Sequence, residues 1–242
     1  MVTQGPVEAG AGSGGRVPPD PEPVELRTAD GVVVHATDRR AAEPRALILL
    51  FHQRGSSRAE YFEIGPRLAA NGYSSLAIDQ RGGGERWRVP NKTAEQYGET
   101  ESHLEAMPDL EAAFAWGAAQ GLKLALWGSS YSAALVFPVA AGHPGEVEAV
   151  LAFSPGDYLE GGQVIEAARE LDVAVFVSSA TTLSEIDYAQ PVFDAVGSQD
   201  KEYFLPANGG GHGSLTLIRA ENPEGYEEMW SAVLAFLRRV FG

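Results

Sequence analysis

A serine held between small residues lies near the middle of the chain, in the run Gly128-Ser129-Ser130-Tyr131-Ser132. The apolar residues before this run predict a β-strand, and those after it predict a helix. A serine hydroxyl is an effective nucleophile when it projects from a sharp strand-to-helix turn, and such a turn requires minimal side chains two residues to either side. Gly128 is one such neighbour, and Ser132 stands where this motif usually has a second glycine. The sequence therefore predicts Ser130 as a nucleophile, with the Tyr131 amide helping to stabilise the oxyanion that forms when a carbonyl is attacked.

A nucleophilic serine needs a base, and one histidine late in the chain has a suitable setting. His212 lies in the glycine-rich run 208–214, between a predicted strand that ends at Pro206 and the last predicted helix. Glycines allow the tight turns that would bring the imidazole to the serine, and its near-neutral pKa suits proton transfer. Because Ser130 precedes His212, as in strand-elbow hydrolases, we predict His212 as the general base.

The carboxylate that orients such a histidine usually follows a later strand, here predicted over 173–179, within about four residues. Residues 180–183 contain no acid, and Glu185 is the first carboxylate reached. We predict Glu185 as the orienting acid. Asp187, further along the same segment, and Asp157, which follows the preceding predicted strand, remain alternatives. An acid at a helix start is also favoured by the helix dipole alone.

A second oxyanion donor is expected from the loop after the most apolar predicted strand. Residues 45–52 form a continuous apolar run, which is typical of a central strand covered on both faces. In a fold with such an elbow, the loop that follows this strand supplies a backbone N–H, here from Gln53 or Arg54. We expect His52 to support that loop. The remaining histidines, His35, His103 and His143, are predicted to lie at the surface.

Strand-like and helix-like segments alternate along most of the chain. An Asp-Gly turn at 30–31 predicts a hairpin at the start. Helices are then predicted over 57–70, 101–120, 131–142, 162–171, 185–196 and 223–241, with strands over 45–52, 73–79, 122–127, 147–154, 173–179 and 202–206 between them. The segment 80–98 shows no periodicity and is predicted to be a loop. This alternation indicates right-handed crossovers and a mostly parallel sheet.

Composition narrows the class of protein. Eighteen basic and thirty-three acidic residues give a net charge of −15, which disfavours nucleic acids and anionic membranes as partners. The absence of cysteine excludes disulfides and cysteine-ligated metals, and leaves the compartment undetermined. No metal site is expected, because no pair of histidines has the spacing of metal ligands. No apolar run is long enough to predict a membrane-spanning helix. Residues 1–23, rich in glycine and proline, are predicted to be a flexible leader, and 24–242 a single domain.

Four segments together resemble the α/β-hydrolase superfamily, in particular compact members similar to dienelactone hydrolases and small carboxylesterases. The segments are 51–55, 79–82, 128–132 and 211–213, and the likeness extends from about residue 24 to the end of the chain. The resemblance implies an α/β-hydrolase fold with an eight-stranded sheet flanked by helices, a triad of Ser130, an acid and His212, no cofactor, and hydrolysis of a small-molecule ester. Dienelactone hydrolases use a cysteine nucleophile, so the serine here favours esterase-like chemistry.

The eighteen residues 155–172 leave room for one crossover helix and not for a lid domain. We therefore expect an open, shallow site for small acyl esters, lined by Tyr131, Trp87 and Tyr158. Two other functions remain open: a small serine peptidase resembling the catalytic domain of prolyl oligopeptidases, and a catalytically silent binding protein of the same fold. The sequence leaves the acyl and alcohol groups, the oligomeric state and the compartment undetermined.

Overall fold

A computed structural model describes residues 18–98, 100, 102–208 and 210–242. Its main sheet contains the strands β1 (Glu22–Arg27), β2 (Val33–Arg39), β3 (Ala46–Phe51), β4 (Tyr73–Ile78), β7 (Leu124–Ser129), β8 (Ala149–Phe153), β9 (Ala174–Ser178) and β10 (Lys201–Phe204), and β5 (Glu85–Arg86) and β6 (Val89–Pro90) form a small ribbon. The helices are α1 (Ile64–Ala70), α2 (Lys92–Tyr97), α3 (Met107–Ala118), α4 (Tyr131–Gly142), α5 (Gln163–Glu170), α6 (Leu183–Ala195) and α7 (Tyr226–Phe241).

The eight strands lie in the order β1-β2-β4-β3-β7-β8-β9-β10. Strand β2 is antiparallel to both of its neighbours, and all other pairs are parallel. This arrangement confirms the predicted α/β fold class and the eight-stranded, mostly parallel sheet. Since parallel strands end at the same edge, the segments that follow β3, β7, β8, β9 and β10 meet there, and these segments hold the residues predicted to do chemistry.

Apolar clusters cover both faces of the sheet, which is why its central strands are mostly apolar. All residues of β3, β4 and β7 are buried. On one face, Leu49 and Leu126 pack with residues of α3, α4 and α5, whereas Ile48 and Trp127 pack on the other face with residues of α1 and α7. Strands buried on both faces read as continuous apolar runs, so their positions could be predicted from sequence.

Several predicted boundaries are wrong in detail. The segment 80–98 is not a plain loop, because it contains the β5–β6 ribbon and α2. The helices predicted over 57–70 and 101–120 each begin with a separate 3₁₀ turn, at Arg58–Tyr61 and His103–Ala106. The first strand begins at Glu22, inside the predicted leader, and residues 1–17 of that leader lie outside the described residues.

A short crossover joins β8 to β9, the connection in which a lid domain would stand. It consists of the 3₁₀ turn Glu160–Gly162 and α5, with short loops on either side. None of the helices in the described part of the chain is both long enough and apolar enough to cross a membrane.

Candidate active site

Ser130 lies at the turn between β7 and α4 with φ 59° and ψ −120°. A non-glycine residue rarely adopts a positive φ, and strained residues of this kind cluster at active sites. The turn is so tight that a Cβ on Gly128 would lie 2.4 Å from the Ser132 carbonyl oxygen and 2.5 Å from the Cα of Ala133. The close crossing of β7 and α4 therefore requires glycine at position 128.

Ser132 fastens the elbow to the neighbouring strand. Its Oγ accepts a hydrogen bond from the Ser129 amide at 2.8 Å and lies 2.6 Å from the carbonyl oxygen of Phe51, the last residue of β3. The serine found in place of the usual glycine thus has a structural task of its own, since it links the elbow to the strand whose loop is predicted to supply the second oxyanion donor.

Tyr131 is the first residue of α4, so its amide lies in the first helical turn, where amides have no carbonyl partner within the helix. Its side chain is 2 % exposed, and its hydroxyl accepts a hydrogen bond from Gln80 Nε2 at 2.6 Å. Burial raises the pKa of the Tyr131 hydroxyl well above its usual value. The residue is thereby fixed on the side of the elbow that adjoins the β3 loop.

The histidine loop is tied to the elbow through its backbone. The amide of Gly213 donates to Ser154 Oγ at 2.9 Å, and the amide of Ser214 donates to Ser129 Oγ at 2.9 Å. Gly213 has φ 61°, and a Cβ there would lie 2.3 Å from Ser129 Oγ and 3.6 Å from the Ser130 amide nitrogen. The residue after His212 therefore touches the elbow itself.

His212 and Glu185 form a hydrogen-bonded pair. His212 Nδ1 and Glu185 Oε1 are 2.6 Å apart, with both side chains partly buried. Burial alone would raise the pKa of the Glu185 carboxyl, but the hydrogen bond to His212, together with the Ser154 hydroxyl and the Ala180 backbone, holds it below its usual value. The hydrogen bond to Glu185 raises the pKa of the His212 imidazole, against the opposing effect of burial. The predicted alternatives, Asp187 and Asp157, are exposed.

Glu185 reaches His212 from a position later than expected. Helix α6 begins at Leu183, so Glu185 lies in its first turn rather than in the preceding loop. One carboxylate oxygen, Oε2, is buried and has no hydrogen-bond partner among the described residues.

The Ser130 hydroxyl makes no hydrogen bond to His212 within the described part of the chain, although the elbow and the histidine loop are in contact. With Nδ1 engaged by Glu185, Nε2 is the ring nitrogen left for a serine proton. Serine–histidine hydrogen bonds are often long or poorly aligned without substrate, and tighten when substrate binds.

Two peptide groups in the loop after β3 are clamped. The Gln53 amide donates to Oε2 of the buried Glu60 at 3.2 Å, so it is already engaged. The Gln53 carbonyl oxygen lies 2.8 Å from His52 Nδ1 and accepts from the Ser56 amide at 3.2 Å. In a trans peptide the N–H of the next residue points away from that carbonyl, and the described chain has no cis peptide. Of the two predicted donors, Arg54 has the amide that these contacts leave available.

His52 supports this loop, in line with its expected task. It is completely buried, and its Nε2 lies 3.1 Å from the amide nitrogen of Gln80 and 3.0 Å from Asn91 Nδ2. Because a backbone N–H can only donate, Nε2 accepts and Nδ1 carries the proton that binds Gln53. Burial lowers the pKa of His52, which keeps the ring neutral in this role.

A comparison of the sequence with models of known protein families identifies the family of this chain. The sequence model of the family described as serine aminopeptidase, S33, matches residues 42–170, more than half of the 242 residues. The chain belongs to this family of α/β-hydrolases. No curated protein matches the chain in sequence.

Solved structures share the fold of this α/β-hydrolase. They include a dienelactone hydrolase from Anabaena variabilis, with a TM-score of 0.73 and 14% identity over 93% of this chain and 99% of that one. An esterase from Pyrococcus furiosus has a TM-score of 0.69 and 19% identity over 92% of each chain. A monoacylglycerol lipase from Paleococcus ferrophilus has a TM-score of 0.64 and 17% identity, covering 84% of this chain and 98% of that one. At these identities the likeness shows the fold.

Two cavities of this hydrolase meet at Arg54. One, of about 340 Å³, is lined by residues of the 3₁₀ turns at 103–106 and 160–162 and their flanks, among them His103 and Tyr158. The other, of about 510 Å³, lies toward Arg81 and the β5–β6 ribbon. Burial and the Glu185 carboxylate raise the pKa of Tyr158 to about 12. Of the three residues predicted to line the pocket, Tyr158 lines one of these cavities, whereas Tyr131 and Trp87 line neither, so their predicted places are not supported.

Three residues near this site were not predicted from the sequence: Glu60, Ser154 and His103. Glu60 lies in an ordinary 3₁₀ turn, and Ser154 ends a strand, so neither has a sequence signal that separates it from other polar residues. His103 was expected at the surface, yet its ring lies 5.2 Å from that of Tyr131. No group of three or more acidic or histidine side chains in the described residues could hold a metal ion.

Proposed function

We propose that this α/β-hydrolase is a serine esterase that cleaves small carboxylic esters through an acyl-enzyme on Ser130. The observation that carries the proposal is the hydrogen-bonded pair of His212 and Glu185, 2.6 Å apart, on a loop whose next residue touches the Ser130 elbow. A serine on a strained turn beside an imidazole oriented by a carboxylate is the arrangement that activates a hydroxyl.

The reaction follows from these positions. His212 Nε2 takes the hydroxyl proton while Ser130 Oγ attacks the ester carbonyl carbon, and Glu185 stabilises the imidazolium that forms. The amides of Arg54 and Tyr131 donate to the carbonyl oxygen as it becomes negative. The imidazolium then passes its proton to the departing alcohol. A water molecule next attacks the acyl-enzyme by the same route, which releases the acid and restores Ser130.

The substrate class is inferred from the cavity lined by Arg54, the proposed oxyanion donor; Ser130 and His212 do not line this cavity. The cavity of about 340 Å³ beside Arg54 and Tyr158 is at the low end of the range typical of ligand pockets, roughly 300–1,000 Å³. The single crossover helix α5 provides no domain that could enclose a long acyl chain. We therefore propose short acyl esters of small alcohols as substrates. Ester chemistry also agrees with the names of two proteins of the same fold, the Pyrococcus esterase and the Paleococcus monoacylglycerol lipase.

Turnover of p-nitrophenyl acetate and butyrate tests the proposal. The wild type is expected to hydrolyse both, and Ser130→Ala to lose the activity. Ser231→Ala is the matched control, because Ser231 is an exposed serine on α7 whose hydroxyl bonds only the Glu227 carbonyl among the described residues. Full activity in Ser130→Ala, or no turnover of any short ester by folded wild type, would disprove the proposal.

A fluorophosphonate probe separates an enzyme from a silent binding protein. The activated oxygen of Ser130 attacks phosphorus and expels fluoride, so intact-mass spectrometry should show one adduct on the wild type. None is expected on Ser130→Ala or on His212→Ala. Folded wild-type protein that stays unlabelled would favour the silent protein.

The second candidate function is hydrolysis of a peptide bond, and the match to a family described as serine aminopeptidase favours it. The same serine and histidine would serve, with an amine as the leaving group. Rates on matched p-nitrophenyl esters and aminoacyl p-nitroanilides compare the two. A kcat/KM for the anilide that equals or exceeds that for the ester would replace the esterase by a peptidase.

A further inference from the structure

Ser154, the residue after β8, combines burial with an unusual backbone. It is 1 % exposed and has φ 53°. Among the residues of the described chain, only Trp87, Arg88 and Ser130 share a positive φ without being glycine, and the first two are exposed in the turn between β5 and β6. Ser154 is held in this conformation at its amide, which donates to the Ser178 carbonyl at the end of β9 at 2.7 Å. A strained, buried polar residue next to a candidate active site calls for a reason.

The hydroxyl of Ser154 contacts the histidine loop. Its Oγ accepts the hydrogen bond from the Gly213 amide at 2.9 Å, directly after His212. An accepting hydroxyl still carries its own proton and can donate it. His212, the residue before Gly213, binds Glu185, so the Ser154 hydroxyl lies one residue along the chain from the hydrogen-bonded pair. The same hydroxyl also lowers the pKa of the Glu185 carboxyl.

Glu185 has the acceptor that this proton requires. Oε1 is taken by His212, whereas Oε2 is buried and has no hydrogen-bond partner among the described residues. A buried carboxylate oxygen without a partner is costly, and a donor that reaches Oε2 would satisfy it. Ser154, which contacts the loop that carries the base, is a candidate for that donor.

We propose that Ser154 is a positioning residue that holds Glu185 and His212 in register, by donating its hydroxyl proton to Glu185 Oε2 while accepting from the Gly213 amide. The inference rests on the proposed function, because it concerns the same acid and base. Ser154 touches neither the substrate nor Ser130 Oγ in this role. Its loss should lower kcat, which depends on the alignment of the pair, and leave KM unchanged.

A substitution by glycine separates this role from a purely structural one. Ser154→Gly removes the hydroxyl and relieves the positive φ, so the backbone should be no less stable than in the wild type. We expect kcat on p-nitrophenyl butyrate to fall about 10- to 100-fold, the loss that follows from one hydrogen bond to a charged group. Ser154→Ala, which keeps the strain, should show the same loss of kcat with a lower melting temperature.

The matched control is Ser198→Ala. Ser198 is also a buried serine, and its Oγ accepts from a backbone amide, that of Asp200 at 3.1 Å, before β10 and away from the acid and base. This variant should lose stability and keep kcat per folded molecule. Circular dichroism gives the folded fraction for each variant.

A spectroscopic signature adds a readout that a structural role would not change. The proton shared by His212 Nδ1 and Glu185 should give a downfield NMR resonance in the wild type that broadens or disappears in Ser154→Gly. The charge of Glu60 acts on His212, and the charge of Glu185 acts on Tyr158 and Tyr203; none of these three neighbours is altered in the variants.

Each outcome decides the inference. A lower kcat per folded molecule in the Ser154 variants, with unchanged KM and an altered Nδ1 resonance, supports it. Wild-type kcat in Ser154→Gly, or a loss that only follows the unfolded fraction in both variants, overturns it. The proposed function fails by a different result, namely ester turnover that does not depend on Ser130.

Discussion

At the scale of single residues, the loop after β3 shows how a buried carboxylate can engage one backbone amide and leave the next one available as the proposed oxyanion donor. Glu60 is completely buried and takes the Gln53 amide, and His52 and the Ser56 amide hold the Gln53 carbonyl. Both peptides of the loop are thereby fixed, and the Arg54 amide is the donor that remains. Glu60 holds the Gln53 amide through the hydrogen bond that it accepts, so an uncharged acceptor of the same shape should hold this loop equally well.

Substitutions of Glu60 therefore test whether the loop needs the negative charge of this side chain or only its acceptor oxygen. Glu60→Ala leaves the Gln53 amide without a partner, and the loop should shift so that the Arg54 amide is displaced. We expect kcat to fall about 10- to 100-fold, less than the roughly 10²–10³-fold cost of deleting an oxyanion donor outright. Glu60→Gln keeps an acceptor oxygen and should retain kcat within about threefold. Steady-state kinetics with both variants measures this, and equal losses in the two would contradict it.

The pair of His212 and Glu185 predicts the pH dependence. The base must be neutral to accept a proton, so kcat/KM should rise with pH. Because Glu185 raises the pKa of His212, the midpoint should lie above about 6.5, the usual value for histidine. In Glu185→Gln the carboxylate no longer favours the imidazolium, while burial still opposes it, so the midpoint should move to lower pH. The plateau of kcat should fall by up to about 10⁴. A midpoint that moves upward would contradict the assignment.

The sequence predicted some of these residues and not others for a physical reason. Ser130 and His212 lie in local patterns, small residues around a strand end and a glycine-rich loop, that follow from the turns they must make. Glu185 was predicted from its distance along the chain after a strand. Glu60 contacts Gln53 across a turn of the same connection, and Ser154 contacts Gly213 in a loop remote in sequence; neither contact follows from a periodic or local sequence pattern.

At the scale of elements, the crossing of β7 and α4 is the most tightly constrained junction. Gly128→Ala should destabilise the protein by about 1–3 kcal/mol, the usual cost of overpacking a core, because the added methyl meets backbone atoms that cannot rotate away. The shift of Ser130 should also reduce kcat at least about tenfold. Chemical denaturation and steady-state kinetics measure the two effects. Gly142→Ala is the control, since a Cβ at the end of α4 meets nothing within 4 Å, and it should leave both quantities unchanged.

The elements that the sequence failed to predict are those that depend on their neighbours. Strands such as β3 are apolar throughout, so their burial can be predicted from their composition alone. The ribbon β5–β6 and helix α2 are too short to be stable alone. Helix α2 begins where Asn91 accepts from the Ala94 amide, and the Lys92 amide donates to Asp79 at the end of β4. Arg81, in the same segment, is buried between Asp109 and Asp30. These contacts, rather than periodicity, give the segment its structure.

At the scale of the whole molecule, the groups proposed to react lie at the edge where the parallel strands end, and the short connection between β8 and β9 contains no lid domain. Each methylene of an acyl chain gains about 0.8 kcal/mol, or about fourfold in kcat/KM, only where it finds apolar surface to cover. We expect this gain up to butyrate and its absence from hexanoate to octanoate, since the cavity beside Tyr158 is small. Initial rates on a series of p-nitrophenyl esters measure this dependence on chain length. When the same rates are measured below and above the critical micelle concentration, no jump in rate is expected at that concentration.

If the rate instead continues to rise with longer acyl chains, helix α6 offers a surface that could bind them. Leu183 and Tyr188 are 80 % and 59 % exposed on α6, the helix that carries Glu185, and they could cover a longer chain. A fourfold rise in kcat/KM for each methylene that continues to octanoate would therefore contradict the small-ester preference. It would indicate that long acyl chains bind along this face of α6. Leu183→Ser decides between the two cases. It should leave the butyrate rate unchanged in either case, and it should lower the octanoate rate only if long chains bind along α6.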